Sequence, residues 1–177
     1  LKITALFDPN IDNNENAKFK EDGLVEIISD YNNRYGMEFS LATHAKMKRD
    51  IADRLAHKEL YKRVEHTPEK QLDLLIVVDQ MLTGFDSKWV NTLYLDKMLE
   101  YANLIQAFSR TNRLFGKDKP FGIIRYYRRP HTMKRNIDAA VKLYSGDKPL
   151  ALFVDKLQDN LKKLNTIFTD IEQLFKS

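Results

Sequence analysis

The sequence contains no cysteine and no long run of apolar residues. Without cysteine, disulfide bonds and thiolate metal sites are excluded, and a reducing cytoplasm is compatible with the composition. A membrane-spanning helix needs about 18 or more consecutive apolar residues, and no such run occurs. The histidines are scattered, without a pair at metal-ligand spacing: His44, His57, His66 and His131. We therefore expect a cytoplasmic protein with neither a membrane span nor a metal site of its own.

The sequence also has little excess of either charge, because its 29 Lys and Arg residues are nearly balanced by 25 Asp and Glu residues, for a net charge of +4. This balance alone is weak support for a nucleic-acid partner. Basic residues do crowd one stretch, where aromatic residues are interleaved: Lys117, Lys119, Phe121, Arg125, Tyr126, Tyr127, Arg128, Arg129, Lys134 and Arg135. For any one of them alone, a solvated basic edge is the simpler interpretation.

Four apolar runs, rich in β-branched or aromatic residues, predict strands over residues 1–7, 72–78, 92–95 and 121–127. The run at 74–78 shows no alternation, which predicts a strand buried on both faces. Segments of helical period separate the strands, so we expect right-handed crossovers and a parallel sheet flanked by helices. A chain that opens directly with a strand suggests a domain taken from a longer protein.

Helical period predicts helices over residues 24–35, 41–64 and 104–115, with Gly116 placed to end the third. Beyond residue 130 the pattern becomes all-helical. From Leu150 the apolar positions alternate by three and four, which is a heptad pattern that needs a partner helix. Self-association and packing against absent parts of a parent chain are both open. We expect an α/β domain over 1–130 and a helical segment over 131–177.

Residues 74–86 form the first segment that indicates chemistry. A strand opens there into a glycine-containing loop at its carboxyl end, where open α/β sheets bind ligands. Gly84 would let the backbone approach a ligand closely. Asp86 could accept hydrogen bonds from a ribose or orient an arginine.

Residues 106–113 form the second segment. Arg110 and Arg113 are spaced i, i+3, and on a helix they would share a face with Gln106. Phosphoryl transfer uses such planar, permanently charged donors to meet charge that develops on the γ-phosphate. Each segment alone is ordinary, but the two in this order are far less common.

The two segments resemble motifs V and VI of superfamily 2 helicases and translocases. They are more similar still to the R (HsdR-type) subunit of type I restriction enzymes. Three stretches carry that resemblance: Leu82-Thr83-Gly84-Phe85-Asp86, Asn91-Thr92-Leu93-Tyr94-Leu95-Asp96-Lys97 and Leu104-Ile105-Gln106-Ala107-Phe108-Ser109-Arg110-Thr111-Asn112-Arg113. The similarity is strong over 72–127 and looser over 1–7, the helices before Thr67 and 137–146.

The resemblance implies a second RecA-like motor domain followed by the start of a helical region. ATP and Mg²⁺ would be held mainly by a first motor domain that this sequence lacks. Arg113 would match the arginine finger and Arg110 its phosphate-contacting neighbour. Gln106 would couple the nucleotide to the cleft between the domains, and Gly84 and Asp86 would lie at its nucleotide edge.

The same resemblance assigns the DNA side of the loop to Thr83 and Lys88. One departure weakens any particular phosphate contact there, because motif V often has Thr where this chain has Val78. The sequence has no phosphate-binding Gly-x-x-x-x-Gly-Lys-Ser/Thr cradle, no Asp-Glu box and no nuclease carboxylate cluster. We therefore expect that this chain alone neither hydrolyses ATP nor cuts DNA.

The leading hypothesis is thus part of the R subunit of a type I restriction-modification enzyme, which translocates duplex DNA at the expense of ATP before endonucleolytic cleavage. Its implied partners are double-stranded DNA, the methyltransferase and specificity subunits, and the nuclease and first motor domains of the same chain. Two alternatives stay open. One is another superfamily 2 helicase or translocase, and the other is a non-catalytic RecA-like assembly module.

Overall fold

The computed structural model of the chain describes residues 1–7, 17–78, 84–145 and 157–175. Its strands are Ile3–Leu6 (β1), Leu74–Val77 (β2), Thr92–Leu95 (β3) and Ile123–Tyr126 (β4). Its α-helices are Ala17–Tyr35 (α1), His44–Ala56 (α2), Tyr101–Ser109 (α3), Pro130–Ser145 (α4) and Leu157–Phe175 (α5). Over these described stretches, no helix is both long and apolar enough to pass through a membrane.

The strands pair in parallel, as the alternation of strands and helices predicts. β1 pairs with β2 in the register Ile3 to Leu74, and β3 pairs with β4 in the register Thr92 to Ile123. Within the described residues these are two separate two-stranded sheets. The α/β class and the parallel pairing are therefore confirmed, whereas a complete RecA-like sheet is not formed by this part of the chain.

Each sheet packs against its own helices. The first core joins β1 to the apolar stripes of α1 and α2: Leu6, Leu24, Ile28, Tyr31, Met47 and Ile51. The second core joins β3 to α3 and α4: Leu95, Leu99, Leu104, Ala107, Phe108, Met133 and Ala140. The first helix beyond residue 130 thus shares the core of β3 and β4. The division into domains at residue 130 stays a prediction.

β2 is covered more fully on one face than on the other. Leu75 and Val77 pack against the first core, while Ile76 is 53% exposed and Val78 is 54% exposed. The prediction of a strand buried on both faces is therefore wrong for the described residues. Lack of alternation in a short apolar run cannot tell which face a neighbouring helix covers.

α5 confirms that the C-terminal segment is helical over Leu157–Phe175, while residues 150–156 lie outside the described part. Its apolar side chains are exposed: Leu161, Leu164, Ile167, Phe168, Ile171, Leu174 and Phe175. The partner helix that the heptad pattern calls for stays a prediction.

The second predicted helix, 41–64, is wrong in its extent. A 3₁₀ turn at Leu41–Thr43 leads into α2, which ends at His57, a residue with a left-handed backbone (φ 51°). Three short 3₁₀ turns follow, at Glu59–Tyr61, Val64–His66 and Pro68–Lys70. A helix continued to Val64 would carry the chain roughly 15 Å beyond Arg54, at about 1.5 Å per residue. Instead the chain folds back.

A buried guanidinium explains this return. Arg54 is 2% exposed, and its Nη1 donates to the carbonyl of Lys70 at 2.5 Å. Its Nε donates to the hydroxyl of Tyr31 (3.1 Å) and its Nη2 to that of Tyr61 (2.8 Å). Both hydroxyls in turn donate to the carboxylate of Asp50, at 2.5 and 2.6 Å. The turns after α2 bring the Lys70 carbonyl and the Tyr61 hydroxyl to this charge.

Burial raises the pKa of Tyr31 and Tyr61, and their hydrogen bonds to Asp50 raise it further. Both phenols therefore stay protonated and serve as donors to the carboxylate. The Arg54 guanidinium also lies over the rings of Tyr35 and Tyr61, 3.7 and 4.3 Å from their centroids. The charge is thus contacted by acceptors at its edge and by two aromatic rings.

We expect Arg54→Met to lower the free energy of unfolding by about 3–5 kcal/mol, because it leaves the Asp50 carboxylate in a largely buried site without its cation. Urea unfolding followed by circular dichroism measures this change. The matched control is Arg49→Met on the same helix. Arg49 is 82% exposed and pairs with Asp53 at 3.8 Å, so its loss should change stability by less than about 0.5 kcal/mol. Equal effects of the two substitutions would contradict the role given to Arg54.

Candidate functional site

Two guanidinium groups and one carboxylate line an open cavity of about 250 Å³ beside the end of α3. Its lining residues are Phe85, Asp86, Ser109, Arg110, Asn112 and Arg113. Arg113 Nε lies 2.5 Å from Asp86 Oδ1, and Arg110 Nη1 donates to the backbone carbonyl of Phe85. The structure therefore brings together three of the predicted site residues, Asp86, Arg110 and Arg113, from two separate segments.

The helix that was expected to present the two arginines has different bounds. α3 runs over Tyr101–Ser109, rather than 104–115, and Arg110 is its C-terminal cap residue. Arg113 lies beyond the helix, so the prediction that both arginines share one helical face is wrong. They nevertheless line the same cavity, because the chain after α3 turns back toward the loop that holds Asp86.

A close backbone approach accounts for the early end of α3. Thr111 is 1% exposed, and a Cβ atom placed on Gly122 would lie 2.3 Å from the carbonyl oxygen of Thr111. Further on, Phe115 and Lys119 form an antiparallel bridge with backbone hydrogen bonds of 3.0 and 3.2 Å. Gly116 has a positive φ of 55° within that turn, so it does not end the helix.

The loop that carries Asp86 is fixed to the end of α2. Ser87 is 4% exposed, and its hydroxyl donates to the carbonyl of Leu55 (2.9 Å) and accepts from the backbone N–H of Trp89 (3.1 Å). The Trp89 ring stacks on His57, with 4.0 Å between centroids and 13° between planes. Burial lowers the pKa of His57, which favours the neutral ring in this stack. Asp86 thus has a position set from the first core.

A buried lysine holds the other side of the loop. Lys119 is 4% exposed, and its Nζ donates to the carbonyls of Lys88 (3.1 Å) and Val90 (2.7 Å). Burial lowers the pKa of Lys119. The Lys88 ammonium lies 4.0 Å from the centroid of the Phe115 ring and 5.3 Å from that of Trp89. Lys88 therefore contacts aromatic rings and does not line the cavity.

The other predicted site residues that the structure describes are not among those that line the cavity. Gly84 has a φ of +72°, a conformation that glycine adopts without strain, and it leads into Phe85. Gln106 contributes its backbone carbonyl, which accepts from Arg110 Nε at 3.1 Å, while its side chain is not part of the cavity lining. Thr83 lies outside the described residues. The ligand roles of all these residues stay predictions.

The cavity is suited to an anion. Two permanently charged guanidinium groups outnumber the one carboxylate, and planar guanidinium forks match the oxygens of a phosphate. The described residues contain no group of three or more His, Cys, Asp or Glu side chains that could bind a metal ion.

The residues that anchor the site were not predicted from the sequence: His57, Ser87, Trp89, Lys119 and Gly122. One signal was available, because Trp89 is the single tryptophan of the chain and follows Asp86 by three residues. The others carry no local signal, since their roles arise from contacts with residues about 11 to 32 positions away.

Comparison with known proteins gives a consistent result. A family model described as type I restriction enzyme subunit R domain 3 matches residues 1–129. The endonuclease subunit of type I restriction enzyme SauCOLORF180P from Staphylococcus aureus (strain COL) is 40% identical over 159 residues, which is 89% of this chain and 16% of that relative. The HindI endonuclease subunit from Haemophilus influenzae is 33% identical over 162 residues, 85% of this chain and 14% of the relative.

A shorter match is more similar. The endonuclease subunit of type I restriction enzyme SsaAORF53P from Staphylococcus saprophyticus is 56% identical over 77 residues, which is 44% of this chain and 8% of the relative. The chain spans less than a fifth of the length of these three relatives.

We expect Gly122→Ala to lower the free energy of unfolding by about 1–3 kcal/mol, because the new methyl group would force the backbone at Thr111 to move. Gly23→Ala is the matched control. A Cβ atom at Gly23, within α1, meets nothing within 4 Å, so this change should be neutral or stabilise by up to about 1 kcal/mol. Thermal or urea unfolding measures both. If Gly122→Ala proved as mild as Gly23→Ala, the close approach would not constrain the segment that carries Arg113.

Proposed function

The chain belongs to the type I restriction enzyme subunit R family, and we propose that it completes the ATPase site of a DNA motor within such a subunit. ATP and Mg²⁺ would be held mainly by a first motor domain elsewhere in the full-length subunit. This chain would close on the phosphates with the cavity described above. The observation that carries the proposal is the convergence of Arg110, Arg113 and Asp86 on that one cavity.

Arg113 is the residue that we assign as the arginine finger. Its side chain is 60% exposed and extends beyond the end of α3, so it can reach a phosphate that another domain holds. Asp86 orients the guanidinium through Nε. A guanidinium placed at the γ-phosphate stabilises the charge that develops there and can be worth roughly 10³–10⁵ in rate.

Arg110 has a more constrained side chain. Its three nitrogens donate to the carbonyls of Phe85 and Gln106 and to the hydroxyl of Ser109. These bonds tie the end of α3 to the loop before Asp86 and leave the positive charge at the cavity. We propose that Arg110 adds electrostatic attraction for phosphate and keeps the two segments of the site together.

The wider activity follows from the same proposal. Hydrolysis of the phosphoanhydride would release the closure between the two motor domains and step them along duplex DNA. Thr83 and Lys88 would contact the DNA backbone, which makes binding dependent on salt and largely independent of sequence. Translocation would precede cleavage by the nuclease domain in a cytoplasmic complex with methyltransferase and specificity subunits. Alone, this chain would neither hydrolyse ATP nor cut DNA.

A non-catalytic assembly module is the second candidate. The exposed apolar face of α5 favours it, since such a face needs a partner helix. Two arginines at an anion-compatible cavity are not required for that role. The two candidates therefore differ in what the loss of Arg113 should do.

We expect Arg113→Ala in the full-length subunit to lower the rate of DNA-dependent ATP hydrolysis by about 10³-fold or more, because Arg110, the other guanidinium that lines the cavity among the described residues, is held by three hydrogen bonds. Arg113→Lys should recover only a small part of the rate, since a lysine keeps the charge and loses the planar fork. Steady-state phosphate release, measured with the assembled enzyme, gives both values.

The matched control is Arg49→Ala, which removes an exposed arginine on α2 away from the cavity and should leave the rate unchanged. Size-exclusion chromatography should show normal subunit assembly for all variants. Turnover close to wild type in Arg113→Ala would reject the finger role. A loss of assembly in that variant would instead favour the assembly module.

A further inference from the structure

The outer face of the sheet formed by β3 and β4 carries exposed aromatic and basic side chains. Leu95, Ile124 and Tyr126 face the second core, so the alternation of the strands directs Tyr94 and Arg125 to the opposite face. Tyr94 and Arg125 lie side by side in the parallel register. Tyr127, two residues beyond Arg125, follows the same alternation.

The two tyrosines on this face are exposed and have nearly parallel rings. Tyr94 is 54% exposed and Tyr127 is 60% exposed, although each has a ring large enough to fill a core. Their ring planes differ by 10°, and their centroids are 6.4 Å apart. Two near-parallel rings that are open to solvent offer flat apolar surfaces on which other planar groups can stack.

The chain segment that includes β4 is basic. Residues 117–135 contain seven Lys or Arg residues against one acidic residue, Asp118, while the rest of the chain has more acidic than basic residues. Arg128 forms an ion pair with Asp96 at 3.2 Å. Arg125 has no ion pair among the residues that the structure describes. The positive charge of the chain is therefore concentrated in the segment that includes β4, where Arg125 lies beside Tyr94 in the register and two residues before Tyr127.

We propose that Tyr94, Arg125 and Tyr127 form a binding surface for single-stranded nucleic acid. The rings would stack on bases, and the Arg125 guanidinium would contact the phosphate between them. A polyanion matches the charge of this segment, whereas an apolar protein segment would gain nothing from the arginine beside the rings. Single strands fit better than duplex, because the bases of a duplex are stacked on each other and offer no free face.

This surface is separate from the ATPase proposal. None of its three residues lines the cavity of Arg110 and Arg113, and stacking on bases differs from the phosphate contacts expected of Thr83 and Lys88 on duplex DNA. A strand displaced from a duplex and an RNA single strand present the same chemistry. Competition between DNA and RNA oligonucleotides would distinguish them.

Binding of a fluorescein-labelled oligothymidine to the chain, followed by fluorescence anisotropy at about 50 mM salt, tests the proposal. Replacing both tyrosines, Tyr94→Ala with Tyr127→Ala, should weaken binding roughly fivefold to a hundredfold for each base that loses its stack. The pair Tyr94→Phe with Tyr127→Phe keeps both rings and should stay within about twofold of wild type. Tyr144→Ala is the matched control, since Tyr144 is 53% exposed on α4 and should have no effect.

Arg125→Gln tests the phosphate contact without touching the rings. It should reduce the slope of log affinity against log salt by about 1, while Arg49→Gln on α2 leaves the slope unchanged. The salt dependence of Arg125→Gln also tests the proposal if the double alanine variant fails to fold, which its circular dichroism spectrum would show.

Three results would overturn the proposal. The first is no measurable binding of oligothymidine by the wild-type chain. The second is equal binding by wild type and by a folded double alanine variant, and the third is equal weakening in the phenylalanine pair. The ATPase role is tested by phosphate release in Arg113→Ala and this surface by oligothymidine binding in the tyrosine and Arg125 variants, so failure of the one and failure of the other are separate outcomes.

Discussion

A guanidinium that is buried among acceptors constrains most of the first half of this structure. Arg54 is 2% exposed, and a charge in that position is tolerated only if each of its donors finds an acceptor. Its acceptors are the carboxylate of Asp50 on α2, the hydroxyl of Tyr31 on α1, the hydroxyl of Tyr61 in the first turn after α2, and the carbonyl of Lys70. That carbonyl is within reach only because the chain folds back after His57. The buried charge therefore accounts for the three 3₁₀ turns that connect α2 to β2.

The same end of α2 sets the position of the candidate site. Ser87 and Trp89 attach to it through a hydrogen bond and a ring stack, so the loop that carries Asp86 belongs mechanically to the first core. Arg113 belongs to the second core, because it follows α3. The ion pair between Asp86 and Arg113 thus joins the two cores at one cavity. A change in how the cores pack would therefore alter the position of the Arg113 guanidinium.

The strands and the candidate site residues could be predicted from the sequence to different degrees. The bounds of the four strands were predicted to within two residues at each end, because a short apolar run is a local signal. Asp86, Arg110 and Arg113 were predicted as site residues from the amino-acid sequences of two short segments, and the structure brings them together at one cavity. The DNA contact of Lys88 stays a prediction, and periodicity gave no indication that its ammonium contacts the Phe115 ring.

The α/β class, the parallel pairing and the family to which the chain is similar could all be predicted before the fold was known, since they depend on local patterns and on residue identity. The ends of α2 and α3 could not, because they depend on long-range contacts. Periodicity would continue both helices, but a buried charge at Arg54 and the close approach of Thr111 to Gly122 stop them. The tertiary structure also brings Arg113 to the cavity from outside a helix. Such outcomes depend on contacts between residues distant in sequence, whose free energies outweigh helix propensities of less than about 1 kcal/mol per residue.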